Sequence, residues 1–155
     1  MNGQIDFELT TSYLLARVST AFRNSFERQM ALIDLHAGQV FVLIELWKED
    51  GLRQIDIASR LNLAAPTVNK TLGGLEEVNL VKIEKGKKGD KDGRVRRVYL
   101  TAKGQAIRDK IERQWLDLEA DFLAGFREPE IVNLKDLLAR LHTSFTGRQM
   151  NEEEQ

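Results

Sequence analysis

The sequence contains no cysteine among its 155 residues. This absence excludes disulfide bonds, metal sites built on thiolates and redox sensing by thiols. No apolar run approaches the roughly 18 residues that a membrane-spanning helix needs. The N-terminus also lacks the basic start and apolar stretch of a secretion signal. We therefore expect a cytoplasmic protein with no membrane partner.

Signatures of catalysis and of cofactor binding are missing as well. No serine lies in a nucleophile elbow, no glycine-rich phosphate loop follows a strand, and no zinc-protease motif occurs. The two histidines, His36 and His142, are far apart and lack the spaced partners of a metal site. We expect no enzymatic activity, no cofactor and no metal. His36 precedes a predicted helix and is expected to help cap it.

Acidic and basic residues nearly balance over the whole chain, with a formal net charge of -1, but they are unevenly distributed. Residues 51–103 contain twelve Lys or Arg and six Asp or Glu, whereas residues 1–50 contain four and seven. A basic middle between acidic flanks is typical of a module that meets a polyanion. An ordinary solvated surface is compatible with the same counts.

Apolar periodicity divides the chain into helices around one short hairpin. Apolar residues three and four positions apart predict helices over residues 8–30, 37–48, 54–61, 65–78 and 102–126, and from 129 onwards. Asn62 lies in a tight turn and tolerates a left-handed backbone there. Residues 81–84 and 95–100 predict two strands joined by a glycine-rich, charged tip. The predicted fold is mainly α with a small β-hairpin, in a single domain over residues 1–155.

Two short helices, a tight turn and a following hairpin make up a winged helix-turn-helix, which we assign to residues 34–101. The major groove of DNA admits one α-helix, and the second helix of the motif supplies it. Asn69 can pair with adenine through two hydrogen bonds, and Lys70 can reach guanine or a phosphate. In this motif we predict DNA contacts from Arg53, Gln54, Pro66, Thr67, Asn69, Lys70 and Thr71.

The hairpin is strongly basic, with eight basic and three acidic residues between positions 82 and 97. An extended basic finger can lie over phosphates and insert an arginine into the minor groove, a role that we assign to Arg94. Phosphates repel Asp92, so we expect it to orient Arg94 or Arg96 instead. The lysines of the tip are also compatible with diffuse attraction alone. The predicted DNA-binding residues of this wing, with Asp92 in its orienting role, are Lys87, Lys88, Lys91, Asp92, Arg94, Arg96 and Arg97.

The run Asp92-Gly93-Arg94, followed at a fixed distance by Leu100-Thr101-Ala102-Lys103-Gly104, resembles the wing signature of the multiple-antibiotic-resistance regulator (MarR) family. The upstream residues 54–61 and 67–70 look like the helix-turn-helix of the same family. The resemblance implies a homodimer with dimerisation helices in residues 1–33 and 102–150. It also implies a near-palindromic operator of double-stranded DNA, usually repression, and relief by a small, often aromatic anion.

Three features depart from the family pattern. Ala64 precedes the recognition helix where a Ser or Thr cap is common. Gly73 and Gly74 lie inside that helix, where a glycine costs about 1 kcal/mol relative to alanine. They either soften the helix or allow another helix to pack closely. Asn79 replaces the frequent glycine at the helix end and is tolerated in a left-handed cap.

Aromatic residues on the predicted helices suggest an effector pocket, with the candidates Tyr13, Arg17, Phe41, Trp47 and Trp115. Arg17 would meet an effector carboxylate, although a surface pair with an acidic residue is the more common role. Aromatic side chains on an apolar helical stripe are also more often plain core. We predict a sequence-specific DNA-binding transcriptional regulator. The alternative is a winged helix that binds an acidic protein partner.

Overall fold

The computed structural model describes residues 5–85 and 95–153, with side chains described as far as residue 147. A 3-10 turn over Phe7–Leu9 precedes the first helix. The elements then follow in the order α1 (Thr11–Ala31), α2 (Ala37–Lys48), β1 (Leu52–Arg53), α3 (Gln54–Leu61), α4 (Ala65–Glu77), β2 (Val81–Lys85), β3 (Arg96–Leu100), α5 (Ala102–Ala106), α6 (Arg108–Leu123) and α7 (Glu128–Glu153). Two compact units divide the chain, Met1–Leu118 and Glu119–Gln155.

This architecture confirms the mainly helical fold with a hairpin, and it corrects two details. The sheet has three antiparallel strands in the order β1-β3-β2, because Leu52 pairs with Val98 beside the hairpin. Two residues are too short to show an alternating pattern, so the sequence did not indicate β1. The helix predicted over residues 102–126 is interrupted at Ile107, where the Lys110 amide donates to the Ile107 carbonyl (3.1 Å). Such a three-residue spacing is typical of a 3-10 turn.

The turn between α3 and α4 has the predicted left-handed residue. Asn62 has φ 51° and ψ 47°, and the amide of Leu63 donates to the Ala58 carbonyl (2.9 Å). Ala64 precedes α4 without a side-chain cap, as the sequence indicated. Asn79 ends the helix with φ 58°. Both ends of α4 are therefore determined by short-range backbone preferences.

The core of the first unit lies under α2 and α4. The helix α2 is central to this core, with Val40, Leu43 and Leu46 at most 1% exposed. From α4, Val68, Leu72 and Leu75 point into the same core. The other fully buried side chains there include Phe26, Met30, Ile57 and Val81. Burial of each such side chain contributes about 1.5–3 kcal/mol. The buried face of α4 thus determines which face points outward.

The start of α5 holds the end of α4. Thr101 caps α5, since its Oγ1 accepts from the Gly104 amide (3.0 Å). The amide of Thr101 donates to the Leu80 carbonyl (3.1 Å), and its hydroxyl donates to the Asn79 carbonyl (2.7 Å). Lys103 Nζ reaches the Val78 carbonyl (2.8 Å). These contacts connect the residues that follow α4 to the start of α5.

Several predicted apolar stripes remain exposed in the single chain. In α1, Phe26 and Met30 are buried, but Leu14 is 53% exposed and Val18 is 63% exposed. In the second unit, α7 carries the exposed side chains Val132, Leu137, Leu138, Leu141 and Phe145. No helix within residues 5–85 and 95–153 has both the length and the apolar character to cross a bilayer.

Candidate nucleic-acid interface

The outward face of α4 presents polar groups at its N-terminal half. Pro66, Thr67, Asn69 and Lys70 are all exposed. Within the described residues, Lys70 makes no ion pair, so its ammonium group is available to an external anion. Thr71 is half-buried, and its Oγ1 donates to the Thr67 carbonyl (2.9 Å). The partial positive charge at the N-terminus of the helix also favours a phosphate.

Two cations at α3 already hold acidic partners, namely Arg53 at the N-cap of the helix and Arg60 within it. Arg53 donates two hydrogen bonds of 2.7 Å to the Asp56 carboxylate, and these bonds lower the pKa of Asp56. Arg60 pairs with Glu49 and lies 3.8 Å from Glu45. Gln54, the first residue of α3, is half-buried. α3 packs against α4, and the residues predicted on these two elements differ in whether their polar groups already have partners.

The base of the wing is ordered by strand pairing and by ion pairs. Arg96 pairs with Lys85 across the hairpin and is exposed. Arg97 is half-buried and donates from Nη1 to the Gly51 carbonyl (2.9 Å), so the structure gives it a role inside the sheet. Lys82 lies 2.8 Å from Glu84, which raises the pKa of Lys82. The remaining predicted wing residues, Lys87, Lys88, Lys91, Asp92 and Arg94, lie outside the described residues.

A separate cavity of about 400 Å³ opens between α2 and α6. Its floor and walls combine two indole rings with aliphatic and charged side chains, namely Ile44, Trp47, Lys48, Arg108, Ile111, Glu112, Trp115 and Leu116. The guanidinium carbon of Arg108 lies 5.5 Å from the centre of the Trp47 ring. Its Nε donates to Glu112 Oε1 (2.7 Å). The cavity therefore has an apolar wall and a cationic group in contact with it.

Sequence reasoning identified part of this cavity. Trp47 and Trp115 line it, whereas Phe41 packs beside Trp115 with ring centres 6.1 Å apart and is not among the lining residues. Tyr13 and Arg17 are exposed on α1 and are not among them either. The charged lining residues Lys48 and Arg108 were missed. Arg108 could have been predicted, because residues 108, 111, 112 and 115 have the spacing of one helical face and Trp115 was already a candidate.

The start of α2, where His36 was predicted to help cap the helix, also involves the side chains of Glu27 and Gln39. Oε1 of Glu27 lies 2.5 Å from His36 Nδ1, and Oε2 of Glu27 accepts from the Ala37 amide (2.8 Å). The amide of His36 donates to Gln39 Oε1 (2.9 Å). The bond with His36, followed by that with Ala37, lowers the pKa of Glu27. Among the described residues, no group of three or more His, Asp and Glu could hold a metal.

Comparisons with known proteins agree with this geometry. The MarR family model matches residues 35–91. The uncharacterized HTH-type transcriptional regulator YwoH of Bacillus subtilis (strain 168) is 32% identical over 102 residues, which are 66% of this chain and 72% of YwoH.

Two solved structures extend the agreement to most of the chain. The S. aureus MepR–DNA complex has a TM-score of 0.74 at 26% identity, covering 89% of this chain and 99% of MepR. PcaV from Streptomyces coelicolor, in complex with its natural ligand, has a TM-score of 0.73 at 21% identity. That match covers 90% of this chain and 96% of PcaV, and it bears on the fold alone.

Proposed function

Because the chain belongs to the MarR family of transcription regulators, we propose that it is a homodimeric repressor of a near-palindromic DNA operator. The observation that carries the proposal is the outward face of α4, whose exposed Asn69 and Lys70 oppose a fully buried face. The structural neighbour MepR is known in complex with DNA. The rival reading, a winged helix that binds an acidic protein, has no observation in its favour.

We place the contacts that read bases on α4. Thr67, Asn69 and Lys70 are exposed near the N-terminal half of a helix, where a major groove would admit them. Arg94 is proposed for the minor groove, with Arg96 at the base of the wing. Asp92 keeps its proposed role of orienting Arg94 or Arg96. The other predicted residues stay proposals for positioning on the phosphates, namely Gln54, Pro66, Thr71, Lys87, Lys88, Lys91, Arg97 and Arg53. Arg53 would first have to release or share its carboxylate partner.

Exposed apolar faces support the dimer. Leu14 and Val18 on α1, and Leu138 and Phe145 on α7, are each between 47% and 63% exposed. Contiguous exposed apolar surface on a soluble protein usually marks an interaction site. In the proposed dimer these faces pack against a second copy. Two recognition helices then lie about one DNA turn, roughly 34 Å, apart.

The cavity between α2 and α6 supports a small-molecule effector. Its indole rings suit a flat aromatic group, and the Arg108 guanidinium suits a carboxylate that replaces Glu112 as its partner. The structural neighbour PcaV is known with its natural ligand. An effector of this kind relieves repression if it binds better to a dimer whose recognition helices no longer match the operator spacing.

Selection from a library of genomic DNA fragments, followed by gel-shift titration of the selected fragment, tests the DNA function. Lys70→Ala should weaken binding about tenfold or more, since a specific base contact contributes about 1–3 kcal/mol. Lys110→Ala, which removes the same charge from an exposed position of α6, is the matched control and should change affinity little. Affinity should also fall steeply with salt. Failure to select any specific fragment would refute the proposal.

Calorimetric titration with benzoate and with uncharged benzamide tests the effector site. Benzoate should bind at least tenfold more tightly and release the selected fragment, because only its carboxylate can pair with Arg108. Arg108→Gln should remove the difference between the two probes. Equal binding of both probes to the unaltered protein would contradict an anion site in this cavity.

A further inference from the structure

Gly73 and Gly74 stand side by side inside α4, and the structure explains only the second. A glycine inside a helix lowers helix stability relative to alanine, so each requires a reason. A Cβ at Gly74 would lie 3.0 Å from Nε2 of Gln39. Gln39 is only 9% exposed, and its Oε1 holds the His36 amide at 2.9 Å. Close packing of α4 on α2 therefore accounts for the glycine at position 74.

Nothing inside the described structure accounts for Gly73. Apart from its chain neighbours and the adjacent backbone of α4, no described heavy atom lies within 4 Å of a Cβ built at this position, so there is room for a side chain. The backbone does not require glycine either, because Gly73 has no positive φ. Among the described glycines, the one with a positive φ is Gly51. Gly73 thus lowers helix stability without a compensating contact from the described part of its own chain.

The position of Gly73 on the helix suggests the reason. It follows Asn69 by four residues and Lys70 by three, so it lies one turn further along the same outward face. Val68, Leu72 and Leu75, all at most 1% exposed, mark the opposite face. A missing side chain at position 73 therefore leaves the helix backbone open to whatever approaches the Asn69 and Lys70 surface.

We propose that Gly73 is a clearance position, where the absence of a side chain lets DNA approach the backbone of α4 and so determines how deeply the helix enters the major groove. This inference rests on the proposed function of α4 as the recognition helix. A side chain at this position would hold the helix away from the groove, and Asn69 and Lys70 would then reach the base edges poorly. Gly73 is in this sense a specificity-determining residue that contributes no polar group.

A competing explanation is that Gly73 keeps the helix soft for DNA binding. Gly73→Ala and Gly73→Leu separate the two explanations, because alanine and leucine are both strong helix formers. Loss of softness would reduce affinity equally in both variants. Loss of clearance would grow with the size of the side chain.

The test measures affinity for the fragment selected with the unaltered protein, together with thermal unfolding followed by circular dichroism. Gly73→Ala should raise the melting temperature and weaken DNA binding about tenfold, and Gly73→Leu should weaken it about a hundredfold, the range covered by losing good base contacts. Gly147→Ala is the matched control, because a Cβ built at position 147 of α7 likewise meets no described heavy atom within 4 Å apart from its chain neighbours and the adjacent helix backbone. It should raise stability and leave affinity within about twofold.

The outcomes distinguish this inference from the function on which it rests. If the unaltered protein selects a fragment and both Gly73 variants bind that fragment as tightly as the unaltered protein does, only the clearance role is overturned. An equal loss in both variants overturns it in favour of softness. If the unaltered protein selects no fragment at all, the proposed function fails and the inference fails with it.

Discussion

Replacing Gly104 with alanine should destabilise the protein strongly, because the new Cβ has no room. It would lie 2.0 Å from the carbonyl oxygen of Leu80 and 3.2 Å from Leu100 Cδ2. Real Cβ atoms essentially never come within 3.0 Å of a neighbour, so one backbone must move by about 1 Å. Leu80 cannot yield easily, since its carbonyl accepts from the Thr101 amide and its own amide donates to Leu75 (2.9 Å).

The magnitude follows from the contacts that this movement disturbs. Overpacking in a well-packed region costs about 1–3 kcal/mol. Weakening the Thr101 cap adds up to about 1 kcal/mol, and weakening the bond from Trp47 Nε1 to the Gly104 carbonyl (3.1 Å) adds about as much. Because these losses overlap, we expect the free energy of unfolding to fall by about 2–4 kcal/mol in total.

Urea unfolding at one fixed protein concentration measures this change, because a dimer's stability depends on concentration. Gln105→Ala is the control, since Gln105 is the exposed neighbour in the same helix. It should change stability by less than about 0.5 kcal/mol. If Gly104→Ala proved as stable as this control, the close contact between α5 and Leu80 would not be a rigid feature of the fold, and the reasoning would be refuted.

Three further changes test other parts of the structure. Glu27→Ala should lower stability by about 1 kcal/mol at pH 7, since the carboxylate satisfies groups at the start of α2. The pKa of Glu27 is lowered by folding, so this contribution is present above its ordinary value of 4.5 and is lost as the pH falls through the folded value. Urea unfolding at successively lower pH should therefore show a shrinking difference in the free energy of unfolding between the unaltered protein and Glu27→Ala. A difference that stays constant would contradict this role of Glu27. Trp47→Phe removes the hydrogen bond to Gly104 and should cost about 1 kcal/mol in the same assay, whereas unchanged stability would show that the bond contributes nothing. Leu138→Glu places a charge on the exposed apolar face of α7 and should raise the dimer dissociation constant at least tenfold in analytical ultracentrifugation, with the exposed Asn133→Glu as control. Equal dissociation constants for the two variants would exclude that face from the interface.

Local preferences explain why much of the fold was predictable. The left-handed turn at Asn62 and the Thr101 cap depend on groups only a few residues apart. The inward face of α4 follows from the three- and four-residue spacing of Val68, Leu72 and Leu75. By contrast, β1 forms only because it pairs with β3, about 45 residues further along the chain, and no local sequence pattern predicts it.

The sequence shows which residues of the site carry a charge, but it does not show which partners these residues contact. Arg53, Arg96 and Arg97 were predicted as equivalent DNA contacts, and the structure separates them. Arg53 is paired with Asp56, Arg97 bonds the Gly51 carbonyl, and Arg96 remains exposed. The role assigned to Arg94 stays a prediction.

By itself, the sequence determined the succession of the main helices and the hairpin, the faces of the helices and the basic character of the central region. Periodicity, caps and turns depend on residues that are close in sequence, so they do not require contacts with distant parts of the chain. The tertiary structure alone decided which glycine has a neighbour, which cation has a partner and where α2 and α6 leave a cavity. Gly73 and Gly74 are adjacent in the chain, yet only Gly74 faces Gln39, because contact depends on distance in space and not on composition.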